Sequence, residues 1–149
     1  MVLDFLSVIT FVPPVREDRG SAFLNDKGRR EMVQTIIGKV PSKSNCYKIV
    51  VVNGHASLAK QKGLKDYEKS FYLQCDKYRG RFITGLFAIR MKVYYDSQRP
   101  DLDNCFKIIL DCLQSCKAVK NDRNCVRITA EKFIDKANPR VEFELEEVV

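Results

Sequence analysis

The sequence predicts a single small α+β domain, a mixed β-sheet packed with two main helices. Three observations lead there. Apolar and polar residues alternate over several short runs, the period of half-buried strands. Two longer segments, 64–78 and 103–114, repeat their apolar residues at helical spacing instead. The chain has 149 residues, 45% hydrophobic and 30% charged, which is the size and balance of one globular domain.

Taken in order, residues 1–12 alternate as a strand would, but Pro13-Pro14 and the charged stretch from Arg16 to Glu31 set them apart. Residues 1–31 therefore read as an N-terminal extension, either poorly ordered or upstream of a natural start at Met32, and residues 32–149 as the domain. Val33 to Ile37 reads as a strand ended by Gly38, and Lys39 to Asn45 as a basic loop. Tyr47 to Val52 is rich in β-branched residues and reads as a second strand, closed by Asn53-Gly54. Leu64 to Tyr78 reads as a helix with Leu64, Phe71, Cys75 and Tyr78 on one side. Gly80 and Gly85 bracket a short connection. Leu86 to Tyr95 is the clearest strand: Phe87, Ile89, Met91, Val93 and Tyr95 share one face, Arg90 and Lys92 the other. Asp103 to Gln114 reads as the second helix, with an apolar stripe of Phe106, Ile109, Leu110 and Leu113. Strands at Cys125–Phe133 and Val141–Leu145 complete the sheet. In the last, Glu142, Glu144 and Glu146 read as a solvated acidic face.

The net charge is +7. Residues 1–31 hold five basic and five acidic residues, so the whole excess lies in residues 32–149. Such a balance favours polyanionic partners. The six cysteines read as reduced thiols used as small apolar residues, in a cytoplasmic setting. With no Cys-x-x-Cys and His55 as the only histidine, the chain lacks the pattern of a zinc site. The apolar start lacks a basic leader and is too short to span a bilayer.

Against this basic background stands the run from Arg99 to Lys107, with a further carboxylate at Asp122. Asp103 can cap the second helix, but Asp101, two residues earlier, cannot fill the same capping role. Lys107 follows Asp103 by four residues and shares its helix face, with Asp111 one turn on. A strand leaving the Lys120–Arg123 turn beside Leu86–Tyr95 would bring Asp122 close to Asp101 and Asp103. Three carboxylates at one spot are unfavourable without a cation. Magnesium, which takes oxygen ligands and keeps waters, is the natural candidate, and metal-assisted phosphodiester hydrolysis the chemistry it suggests. Lys39, Lys43, Lys60, Lys62, Arg90, Lys92 and Arg99 are candidate phosphate contacts.

The pattern Asp101-Leu102-Asp103-Asn104, then Lys107, then Asp122 nineteen residues after Asp103, resembles the RusA-type Holliday-junction resolvases. So do the Pro41–Asn45 loop, the Arg99-Pro100 lead-in, the helix carrying Lys107, Asp111 and Leu113, and the final Pro139–Glu142 strand. The likeness covers about residues 32–147. It implies a RusA-like fold and a small homodimeric endonuclease, dependent on magnesium (manganese being the alternative) and often encoded by phages or prophages. Such enzymes cut four-way DNA junctions by paired incisions, in recombination and repair. It implies Asp101, Asp103 and Asp122 as metal ligands, Lys107 as the essential basic residue, and Asn104 in support. Branched DNA would be held by Lys43, Lys60, Lys62, Arg99, Lys107 and Lys120. The family commonly has paired acids where this chain has Asn121-Asp122. The alternatives are a branched-DNA-binding protein that does not cut, a nuclease of broader structure-specific range, and a basic α+β interaction protein.

Overall fold

The computed structural model describes residues 8–11, 32–42 and 46–148, the first four as backbone. Seven strands are assigned: β1 (Val8–Phe11), β2 (Gln34–Ile37), β3 (Tyr47–Val52), β4 (His55–Lys60), β5 (Phe87–Tyr95), β6 (Cys125–Ile134) and β7 (Arg140–Glu147). The helices are α1 (Lys62–Gln74) and α2 (Phe106–Ser115). Five strands form one mixed sheet in the order β1-β6-β5-β7-β2, and β3-β4 stand as a separate two-stranded sheet.

β5 lies at the centre because its residues are apolar on nearly every position, as a strand covered on both sides must be. It pairs parallel with β6 and antiparallel with β7. Phe87, Ile89, Met91, Val93 and Tyr95 turn to the core face, where they meet Leu64, Tyr67 and Phe71 of α1 and Ile109 and Leu113 of α2. Phe71 stacks on Phe143 at 5.8 Å, and Tyr78 on the same ring at 5.7 Å. Truncating a ring as buried as Phe71 costs about 3–5 kcal/mol through lost transfer energy and a residual cavity.

The opposite face of the sheet is built from charge. Arg90 holds Glu144 at 3.1 Å. Arg140 lies between Glu142 at 3.0 Å and Asp135 at 2.9 Å, with its guanidinium 3.7 Å from the Tyr94 ring centre. The acidic row of β7 is therefore solvated only at its end: Glu144 is 4% exposed and set against Arg90, Glu142 is half-buried, and Glu146 is exposed. Lys92 is likewise buried, at 7% exposure.

Other boundaries shift for local reasons. α1 ends at Gln74, before Cys75 and Tyr78, although both remain buried. His55–Lys60, not expected as a strand, is one, and it pairs with β3 outside the main sheet. Asp103 caps no helix: a 3-10 turn, Leu102–Cys105, precedes α2, and neither its N-terminal residue Asp101 nor that of α2 makes a side-chain cap. Val8–Phe11 pairs parallel with Thr129–Lys132. The rest of the segment 1–31, the proposed start at Met32 aside, lies outside the described residues.

At the margin of the sheet, the Gln74 side chain stands in for a strand. Its amide accepts from Ile37 N at 2.7 Å and donates to Ile37 O at 2.9 Å, while Gln34 Nε2 donates to Gln74 O at 2.9 Å. All six cysteines are free and buried. Among the described residues no helix is long and apolar enough to cross a membrane.

Candidate active site

The candidate residues all belong to the segment that runs from β5 through α2 to β6. After Tyr95 the chain leaves the sheet, passes Asp96–Pro100 and enters the 3-10 turn. Leu102 and Cys105, 7% and 0% exposed, plug that turn into the core, and the Cys105 thiol donates to Leu102 O at 3.0 Å. With those two residues turned inward, Asp101 and Asp103 are left on the outside, exposed to water. Among the described residues neither carboxylate makes a hydrogen bond or ion pair. Beneath them sits the Tyr95 hydroxyl. Burial first, then the Cys105 thiol and the Asp103 and Asp101 charges, push it well above the ordinary tyrosine range. Burial pushes the Cys105 thiol up to about 12, so both groups stay protonated under the carboxylates.

The loop leading to Asp101 is tied down by Lys132. This lysine stands on the core face of β6, in line with Ile128 and Ala130. It is 7% exposed and donates to Gln98 O at 2.9 Å and to Pro100 O, with its ammonium 5.9 Å from the Tyr95 ring centre. A buried ammonium needs such acceptors, and here they are the carbonyls of the site loop. The sequence does carry a signal for it, a lysine at an apolar position of an alternating strand. Sequence reasoning missed this residue. Beside the loop runs a groove lined by Lys39, Tyr95, Arg99, Asp101 and Asn104. Lys39 pairs with Asp96 at 3.0 Å.

The second group lies along α2. The Lys107 ammonium bridges Asp122 at 2.6 Å and Asp111 at 2.9 Å. The bond to Asp122, then that to Asp111, raises the Lys107 pKa further above the lysine range. Reciprocally, Lys107 holds the Asp122 carboxyl below the usual aspartate range. Gln114 Oε1 accepts from Asp122 N at 2.9 Å, and Asn121 Oδ1 accepts from Arg123 N at 3.1 Å, capping the 3-10 turn Asp122–Asn124. Asn121 thus has a backbone role of its own.

The structure brings Lys107, Asp111 and Asp122 together, with Lys107 one helical turn after Asp103. β5 and β6 run parallel, with Phe87 opposite Cys125 and Tyr95 opposite Ile134. α2 therefore returns the chain toward the beginning of β5, whereas Asp101 and Asp103 follow its end. Among the described residues no group of three or more His, Cys, Asp or Glu side chains is disposed to hold a metal ion. As donors, the Asp101 and Asp103 oxygens suit a hard cation, and their lack of protein partners leaves their lone pairs open.

Of the candidate phosphate contacts, Lys62, Arg99 and Lys120 are exposed. Lys60 pairs with Glu68 at 2.8 Å. Lys43 lies outside the described residues. Arg90 and Lys92 are on the charged face of the sheet, away from α2, where Arg90 pairs with Glu144 and Lys92 is buried.

Fold and site together define a basic α+β domain that carries its carboxylates and one lysine on a strand–helix–strand unit. The chain belongs to the RusA endodeoxyribonuclease family, whose model, described as endodeoxyribonuclease RusA, matches residues 40–146. It is also similar to the crossover junction endodeoxyribonuclease rusA of Lactococcus phage r1t, 30% identical over 129 residues, which span 83% of this chain and 93% of that relative.

Proposed function

We propose that this protein is a magnesium-dependent endonuclease that resolves four-way DNA junctions by paired phosphodiester hydrolysis, in recombination and repair. The observation that carries the reading is the pair of unpartnered carboxylates, Asp101 and Asp103, at the strand-to-helix turn of a RusA-family chain. Magnesium is commonly held by one or two carboxylates together with waters and substrate phosphates, and this pair fits that need. When bound, the ion supplies Lewis-acid chemistry, a more acidic water and a polarised phosphate. Asp101 and Asp103 would hold it. Asp122 enters the proposed ligand set from the family resemblance, and its partner in the structure is Lys107.

Lys107 is 68% exposed and its carboxylate partners keep its ammonium charged at neutral pH, so it can offset charge that develops on the phosphate. Lys132 keeps the Asp101 turn in place. Arg99 would guide the backbone along the groove, with Lys60, Lys62 and Lys120 outside it, and affinity should fall steeply with salt. A two-fold homodimer would present two sites to two symmetry-related strands.

The test is cleavage of a synthetic four-way junction in magnesium, with linear duplex as control, by wild type and Asp103→Asn. Symmetric nicks from wild type alone support the reading. A second reading, a branched-DNA binder that does not cut, draws on the pairing of Asp122 with Lys107 instead of with Asp101 and Asp103. Junction binding without nicks from either protein would favour it. Equal affinity for linear duplex would sink both.

A further inference from the structure

The β3–β4 hairpin has no part in the site described so far. Its strands pair residue for residue from Tyr47 with Lys60 to Val52 with His55. They join through Asn53 and Gly54, both at positive φ, 51° and 78°. Two such residues make a type I′ turn, whose twist matches that of the strands, so the hairpin is preformed. It belongs to no larger sheet. Free hairpins are marginal in water, and this one is fixed at its base: Gln61 N donates to Cys46 O at 2.8 Å, and Lys60 grips Glu68 of α1 at 2.8 Å.

One face of the hairpin carries Tyr47, Ile49 and Val51 with the cross-strand Leu58. Ile49 is 75% exposed, Val51 73% and Leu58 72%. An apolar face held out in water at this level calls for an occupant. The charge of the module points to which one. Residues 46–65 contain four lysines, Lys48, Lys60, Lys62 and Lys65, and no Asp or Glu. A partner that is apolar at its centre and anionic at its flanks fits this surface, which is the chemistry of a base step opened between two phosphate backbones. The base of the hairpin also lies toward the Lys107 group. Lys60 feels Asp111, which shares Lys107 with Asp122.

We propose that the β3–β4 hairpin is a wedge: its face of Ile49, Val51 and Leu58 packs against bases unstacked at a DNA branch point, while the lysines at its base hold the flanking phosphates. Apolar side chains inserted at base steps are a known means of prising a duplex apart, at a cost recovered through added contact. A hairpin seated at the branch would set how far along an arm the strand crosses the carboxylate turn. The inference rests on the junction reading of the site, and goes beyond it in naming the element that recognises the branch.

The experiment measures binding of the full chain to a four-way junction carrying 2-aminopurine at the branch, and to linear duplex, with calcium in place of magnesium. Wild type is compared with the double variant Ile49→Ser, Leu58→Ser, and sedimentation velocity gives the oligomeric state of each. The wedge predicts a rise in branch-point fluorescence for wild type. For the double variant it predicts that this rise is lost and junction affinity falls about tenfold, with duplex affinity and sedimentation unchanged. Ile49→Phe keeps an apolar, stackable face and should bind the junction as wild type does.

A double variant that keeps both the fluorescence rise and the affinity overturns the proposal. So does one that sediments as a smaller species, because the face is then a contact between copies. Ile49→Phe weakening binding as much as the serine pair overturns it as well. If wild type prefers and nicks the junction without any fluorescence rise, the wedge falls and the nuclease reading stands. If wild type does not prefer the junction, both fall.

Discussion

At the turn before α2, Asp101 and Asp103 face water with no partner among the described residues, while Asp111 of α2 and Asp122 of the turn before β6 share the ammonium of Lys107. The residue types are the same, yet the electrostatic states differ. In the first group two like charges lie two residues apart with nothing between them, which is costly unless a cation arrives. The second group has its cation built into the chain. The difference separates carboxylates that lack a protein partner from carboxylates that share one. It also predicts that activity and stability respond oppositely in the two places.

The sharpest break would come at the first group. Asp103→Asn should lower junction cleavage about a thousandfold, the several kcal/mol that a metal contributes to such a transition state, as read by single-turnover nicking. Calorimetry on the same variant should find stability changed by less than about 0.5 kcal/mol, because no protein bond is lost. A stability loss matching the activity loss would show that Asp103 is structural. Next comes the tether beneath it. Lys132→Met should lower cleavage by about 10- to 100-fold, as removal of a supporting shell commonly does. It should also destabilise the fold by about 1–3 kcal/mol, since the carbonyls of Gln98 and Pro100 lose their donor.

At the second group the effects on folding are smaller. Lys107→Met leaves Asp111 and Asp122 facing each other and should cost at most about 1 kcal/mol, because the lysine itself is well exposed to solvent. Adding Asp122→Asn should recover part of that, and a double-mutant cycle by urea denaturation reads the coupling. The smallest effect is in pH. Asp122 has a folded pKa below its unfolded value, so its contribution is present above the ordinary aspartate range and is lost as pH falls through the folded value. Lys107 is shifted upward, so its contribution is complete below the ordinary lysine range and is lost only as pH rises through its folded value. Asp122→Asn should therefore lower stability slightly at neutral pH and flatten the acid limb, its curve meeting that of wild type as pH falls below about 4, which pH-dependent thermal melts will show.

Much of this arrangement is legible in the sequence. β5 and α2 announce themselves through periodicity, since their apolar residues must all meet one core. The Asp101–Lys107 motif stands out because capping cannot account for both carboxylates. β4 escaped because His55-Ala-Ser-Leu-Ala-Lys60 contains no β-branched residue, and its pairing to β3 rather than propensity makes it a strand. Convergence of the three aspartates is what linear spacing suggests. What spacing alone does not carry is the partner: β5 and β6 run parallel through the α2 crossover, and Asp122 meets Lys107, one turn after Asp103. Lys132 and Glu144 are hidden for a common reason: a charge in a strand reads as solvent-facing until the groups above it are known.

The Gln74 amide at the sheet margin has a consequence for how the protein keeps to itself. An outermost strand offers N–H and C=O groups to any extended chain that drifts past. At Ile37 both groups are already engaged by one glutamine, so this part of the edge cannot template a visiting strand. A nuclease working on crowded DNA gathers copies at high local concentration, where fibrous self-association would begin at such an edge. One side chain from a helix gives the sheet a finished border there without the length of another strand.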